Sequence, residues 1–163
     1  MDYILEPMKE EHRKPVMGIF NFFIEKTFAA YPEAPLSEGV FDQFLALSRK
    51  YPAIVVKDQG GHVVGFAFLQ PYHPADSFRH TAVATYFILP EHTRKGIGAR
   101  ILEDFIREAR KKGLKHLLVN ISSLNPGSIE FHRKNGFRKC GTFSDIGHKT
   151  GKTFSVVWME RAI

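Results

Sequence analysis

Residues 81–113, TAVATYFILPEHTRKGIGARILEDFIREARKKG, constrain the fold more than any other part of the chain. A β-branched and aromatic run, 81–89, reads as a strand. A turn follows that carries Arg94, Lys95, Gly96 and Gly98. Ile97, Ile101, Leu102, Phe105, Ile106 and Ala109 then recur every three or four positions, which predicts a helix from about residue 96 to 112. Gly113 stops it, and HLLVNIS (116–122) returns to strand. Strand, helix and strand in succession predict one crossover within a sheet.

The flanking sequence completes the pattern. YILEP (3–7) is a short strand ended by Pro7. Val16, Ile19, Phe20, Phe23 and Ile24 form a helical stripe within 10–28. Ser37 is placed to cap a second helix carrying Val40, Phe41, Phe44 and Leu45. PAIVVK and HVVGFAFLQPY, joined by DQGG, predict a hairpin. NPGSIEFHRKNG is a short helix with Pro126 in its first turn. FRKCGTFSDIG and TFSVVWME are two final strands around HKTGK. The order β-α-α-β-β-β-α-β-α-β-β predicts an α/β domain, 1–163, with a mixed central sheet and helices on both faces.

Composition narrows the partners. At 163 residues the chain suits one domain. No apolar run approaches the ~20 residues of a membrane span, and the N-terminal segment lacks the charge and apolar pattern of a signal peptide. One cysteine, Cys140, excludes an internal disulfide, which suits a cytosolic, reducing setting. Cys140 itself is expected as a small buried hydrophobe. The net charge of +6 favours anionic partners. No basic-aromatic constellation accompanies it, so no nucleic acid is expected. The eight histidines form no His-Glu-x-x-His or Cys/His cluster, and no metal is expected.

The turn at 93–98 carries the chemistry. A helix N-terminus presents unpaired backbone N–H groups and a positive partial charge. Glycines let an anion approach them. TRKGIG is therefore suited to a phosphate, although an exposed turn with a basic rim has the same spacing. It is no P-loop, and the third glycine of a dinucleotide fingerprint is replaced by Ile101.

TRKGIG, FNFFIEKT (20–27), FRHT (78–81), NPGSIEFHRKNGF (125–137) and GHKTGKTFSVVWM occur in order along the chain. Together they resemble the GNAT N-acetyltransferases, and within them the phosphinothricin and methionine sulfoximine acetyltransferase subgroup. The resemblance implies the GNAT fold, acetyl-CoA as co-substrate, a small-molecule amine as acceptor, and a homodimer. It implies that the pantetheine arm pairs with the backbone at Phe87 and Ile88, and that the amides of Thr93, Arg94, Lys95, Gly96, Ile97 and Gly98 hold the pyrophosphate. Asn125 and Ser128 would meet the pantetheine, with Arg133 and Lys134 near the nucleotide phosphate.

Three departures bear on catalysis. Thr93 stands where the loop has Gln or Arg. Val83 stands where the subgroup has a Glu proposed as general base, and valine accepts no proton. Glu25 is then the first candidate base, with a solvated helix charge as the other reading. His80 is a second titratable candidate, or a strand-end histidine. His73 replaces a substrate-gripping Arg, so phosphinothricin is expected to be a poor acceptor. Arg79 is retained. His132 occupies the place of a general acid toward the leaving thiolate, or packs beside the coenzyme. Phe28 and Tyr31 are expected at the acceptor pocket. The other reading is an acyl-CoA- or partner-binding relative without efficient transfer.

Overall fold

A computed structural model describes residues 2–163. Seven strands form one sheet: β1 (Ile4–Pro7), β2 (Ala53–Lys57), β3 (Val63–Pro71), β4 (Thr81–Ile88), β5 (His116–Ser122), β6 (Arg138–Lys149) and β7 (Lys152–Ala162). Their spatial order is β1-β2-β3-β4-β5-β7-β6. β4 and β5 are parallel, and every other neighbouring pair is antiparallel. The helices are α1 (Arg13–Lys26), α2 (Phe41–Ser48), α3 (Ile97–Lys111) and α4 (Pro126–Lys134). This is the expected element order and the expected mixed sheet.

Two cores follow from the alternation of strand side chains. On one face, Val16, Ile19, Phe23 and Ile24 of α1 and Phe41 and Phe44 of α2 pack on Val55, Phe66, Phe68 and Phe87. The aromatic rings there are close: Phe44 lies 4.9 Å from Phe68, and Phe66 lies 5.3 Å from Phe87. On the other face, Ile97, Ile101, Leu102 and Phe105 of α3 pack on Ala67, Leu69, Ala82, Leu117 and Val119. β4 thus points Ala82 and Ala84 to one core and Phe87 to the other.

The stop at Gly113 is made by geometry. Its φ is +77°, and the amides of Gly113 and Leu114 return to the carbonyls of Arg110 and Ala109. Two expectations are corrected. Ser37 makes no side-chain capping bond; its carbonyl accepts the Val40 amide at the head of a 3₁₀ turn (Glu38–Val40) that precedes α2. Cys140 is exposed, not buried. It lies on β6, the outermost strand, at a register slip between Lys139 and Gly141. The outer strand has no neighbour to cover it, which the local sequence does not reveal.

Gly65 sets how closely β3 holds the end of β4. It pairs with Ile88, and a Cβ there would come within 2.9 Å of the Phe87 carbonyl oxygen and 3.2 Å of Ile88 Cα. Both obstacles are backbone and cannot swing aside. Gly65→Ala is expected to cost about 1–3 kcal/mol, the usual range for overpacking, read as a lowered urea midpoint with unchanged slope.

Candidate active site

The parallel ladder between β4 and β5 is short. It pairs Thr81 with His116, Ala82 with Leu117 and Val83 with Leu118, and then stops. Yet β4 stays paired to β3 as far as Ile88, and β5 stays paired to β7 as far as Ser122. The two strands are therefore held apart by their outer neighbours, and a cavity of about 330 Å³ lies between them. Ala84, Thr85, Tyr86 and Phe87 line one wall, and Val119, Asn120, Ile121 and Ser122 the other. Backbone facing such a gap needs hydrogen-bond partners, and an extended chain can supply them as an added strand.

Helix α4 closes one side with Asn125, Ser128 and His132. Asn125 caps the helix, its Oδ1 accepting the Ser128 amide at 3.3 Å. His132 is 3% exposed, with Nδ1 2.8 Å from the Ser128 carbonyl oxygen. A carbonyl only accepts, so Nδ1 carries the proton and Nε2 is left with a lone pair. Burial pushes the His132 pKa down to about 4. At neutral pH this ring is therefore uncharged, and Nε2 accepts a hydrogen bond. The general acid expected of His132 would need a proton at Nε2, which this tautomer lacks.

Tyr86 stands opposite, its ring centroid 5.5 Å from that of His132, and burial raises its phenol pKa. Tyr86 Oη and His132 Nε2 are both buried without a hydrogen-bond partner among the described residues. Buried polar atoms in this state are uncommon. A donor and an acceptor facing the same gap fit a polar co-substrate arm passing between the strands.

The other side of the cavity is built by Phe20, Phe68, Gln70 and the segment Ala29–Pro32. The Tyr31 hydroxyl donates to Asn120 Oδ1 at 3.0 Å, bridging the gap's mouth. Burial pushes its pKa up to about 12, so it stays protonated. Among the described residues no Asp, Glu, Lys or Arg lines the cavity.

The turn after β4 is shaped as its glycines require. Gly96 is the N-cap of α3 with φ +80°, and Arg94 also has positive φ, +60°. The Ile97 side chain is buried in the core, so its backbone is what it offers to a ligand. Gly98 is also needed for packing. A Cβ there would lie 3.0 Å from the Phe131 ring, so this glycine lets α4 approach α3. The Thr93 hydroxyl donates back to the Pro90 carbonyl oxygen. Arg133 and Lys134 both pair with Glu130, at 2.8 and 3.5 Å.

Several expected residues are not brought to the cavity. Glu25 is exposed on α1 and outside the lining. His80 sits at the closed end of the β4–β5 ladder, its Nδ1 2.8 Å from the Gly113 carbonyl oxygen, where it fixes the turn after α3. His73 and Arg79 are exposed; His73 Nδ1 accepts the Ala75 amide and Arg79 donates to the Asp76 carbonyl. Phe28 packs on Phe154, 6.0 Å between centroids, and Ile88 lies just past the lining. Val83 is 5% exposed and offers no proton acceptor. The sequence reading missed Tyr86, Asn120 and Gln70. The available signal was a lone polar or phenolic group inside an otherwise apolar strand.

Glu6, Glu11 and His12 come within 4.8 Å of one another away from this site. His12 Nδ1 accepts the Lys9 amide, so Nε2 carries the proton and faces Glu6 at 2.9 Å. Lys57 already pairs with Glu6.

Residues 16–137 match the model of the Acetyltransferase (GNAT) family, and the chain belongs to that family. It is an acetyl-CoA-dependent N-acetyltransferase. A curated relative, the L-methionine sulfoximine/L-methionine sulfone acetyltransferase of Pseudomonas paraeruginosa, is 30% identical over 150 residues, covering 89% of this chain and 86% of the relative. A phosphinothricin acetyltransferase from Sinorhizobium meliloti, solved in complex with AcCoA, superposes with a TM-score of 0.95 at 25% identity, covering 100% of this chain and 89% of that one. A ribosomal-protein-alanine N-acetyltransferase from Brucella melitensis superposes with a TM-score of 0.91 at 28% identity, covering 98% and 99%.

The buried neutral His132 has a consequence for stability. The unfolded ring takes a proton near pH 6.5 and the folded ring near 4. The unfolded state binds more protons between those values, so stability falls as pH drops from about 6.5 to about 4 and is fully present above 6.5. The expected loss is about 3 kcal/mol or slightly more. Melting temperature against pH, compared with His132→Leu, checks it: the variant is expected to show a shallower acid slope.

Proposed function

We propose that the protein transfers the acetyl group of acetyl-CoA to the amine of a small amino acid or analogue whose side chain is neutral. The observation that carries this reading is the parted β4–β5 pair, with a cavity whose acceptor end holds Phe20, Phe68, Tyr31, Gln70 and Asn120 and no charged side chain. The parted backbone is suited to the pantetheine arm, and the turn at 93–98 to the pyrophosphate. Tyr86 Oη is a buried donor on the wall facing the uncharged His132 ring and suits the polarised end of the arm. Gln70 and Asn120 supply neutral amides for a polar but uncharged acceptor side chain.

The reaction joins the acceptor nitrogen to the acetyl carbonyl carbon, breaks the C–S bond, and moves one proton from nitrogen to sulfur. Only a neutral amine attacks. Among the described residues no carboxylate lines the cavity, and the uncharged His132 Nε2 is left there as a hydrogen-bond acceptor. The sulfone and sulfoximine groups in the Pseudomonas relative's name are polar and uncharged at sulfone, which suits these walls. A phosphinate beside a carboxylate does not, because two desolvated charges would meet no cation.

A screen of amino acids for thiol release from acetyl-CoA tests the reading. L-methionine sulfone is expected to exceed phosphinothricin in kcat/KM by at least about tenfold, the step of roughly 1.4 kcal/mol that one unpaired charge readily exceeds. Equal or better turnover of phosphinothricin, or acetylation of protein N-terminal amines alone, would sink it.

We also propose that the enzyme is cytosolic and homodimeric, with β6 in the contact. Among the described residues no helix is long and apolar enough to cross a membrane, and the one cysteine is free. β6 is an outer strand with Phe143 59% and Ile146 63% exposed, and an apolar edge of this kind is ordinarily covered. Sedimentation equilibrium is expected to give a dimer for the wild type and a monomer for Phe143→Lys with Ile146→Lys. A monomeric wild type refutes the dimer.

A further inference from the structure

Lys149, the last residue of β6, is 1% exposed. Its ammonium donates to the Thr27 carbonyl oxygen at 2.8 Å and to the Ala30 carbonyl oxygen at 2.6 Å. Nζ also lies 6.0 Å from the centre of the Phe28 ring. All three acceptor surfaces belong to the short segment that follows α1. Thr27 is the C-cap of that helix, so the cation meets the negative end of the helix dipole.

Burying an ammonium is costly unless its N–H groups are paired. Burial lowers the Lys149 pKa, in keeping with that cost. A methionine of similar length would fill the same space without it. What the lysine adds is direction: two bonds to carbonyls three residues apart fix both the position and the rotation of the segment between them. The next residues, Tyr31 and Pro32, line the cavity with Ala29 and Ala30.

The same hairpin supports the segment a second time. Tyr31 stacks on Phe154 of β7, 5.8 Å between centroids and 18° between planes. Phe154 in turn lies against Gly147, where a Cβ would come within 2.3 Å of its ring. The turn joining β6 to β7 places Thr150 and Gly151 at φ +47° and +75°, the two-residue form whose twist matches paired strands. Lys149 and Phe154 therefore start from one rigid corner.

We propose that Lys149 is a positioning residue for the acceptor: its ammonium ties the segment after α1 to the end of β6 and so sets the wall formed by Ala30, Tyr31 and Pro32. This rests on the reading of that end of the cavity as the acceptor pocket. Lys149 touches neither substrate. Its loss acts on acceptor binding and leaves the coenzyme side, built from β4, β5, α3 and α4, in place.

The test uses Lys149→Met and three measurements. Hydrogen exchange at the amides of residues 28–31 is expected to quicken at least about tenfold, with α3 and β5 unchanged. The KM for L-methionine sulfone is expected to rise about tenfold or more, since small misplacements are costly, with acetyl-CoA affinity by calorimetry held within about twofold. Unchanged exchange, an unchanged KM, or acetyl-CoA affinity falling in step with acceptor affinity each overturns the proposal. If Lys149→Met does not fold, Lys149→Arg keeps a cation on a longer stem and shifts the segment. It is expected to raise the KM with acetyl-CoA affinity held, and an unchanged KM overturns the proposal there too. Absence of wild-type turnover with any amino acid counts against the acceptor reading alone, and the exchange measurement then decides the clamp.

Discussion

The site depends on a hydrogen-bond ladder that ends early. Between β4 and β5 only three pairs form, although both strands continue and both stay bound to their other neighbours. A free strand end would fray and find water. Here neither can, because Gly65 lets β3 grip the end of β4 and β7 grips β5 through Ser122. The sheet holds polar backbone open at its own centre, and a ligand shaped like a strand is the natural complement. The ladder that ends early is the parallel pair in an otherwise antiparallel sheet, and α3 makes the crossover between its two strands.

The two cores share the labour unequally. On the proposed reading the α3 face carries the coenzyme side: the turn at 93–98 opens α3, and Gly98 lets Phe131 of α4 come close. On the same reading the α1 and α2 face carries the acceptor side, where closely packed, tilted phenylalanines make a dry floor. β4 belongs to both because its side chains alternate. Tyr86 looks toward one and Phe87 toward the other, and the gap brings both to one cavity.

The fold was legible because its signals are local. The stripe Ile97, Ile101, Leu102, Phe105 and the stop at Gly113 needed no partner to be read, and neither did Pro126 after Asn125. Around the site, what was legible was backbone shape, as in the left-handed N-cap at Gly96. Side-chain roles depend on what lies opposite, and sequence does not print that. His80 and His132 are equally suited to proton transfer on paper. One is pinned to a turn carbonyl at the closed end of the ladder, and the other is desolvated against Tyr86 and Phe137. Cys140 was misjudged for the same reason, since an outer strand and an inner one can share a composition.

The segment between α1 and α2 is fastened near both of its ends. Lys149 holds Thr27 and Ala30. Asn21, reaching across from α1, donates to the Leu36 carbonyl oxygen and accepts the Leu36 amide, each at 2.9 Å. Arg13 ties the start of α1 to Asp42 of α2 beyond that. The stretch from Tyr31 to Pro35 is thus a short bridge on two fixed piers, made of different residues from those that form the parted strands. On the proposed acceptor reading, changes of length or composition on that bridge would reshape what is acetylated while the donor side is inherited intact. A chain arranged in this way can diverge in acceptor by editing about one loop, which is the kind of segment that tolerates insertion best.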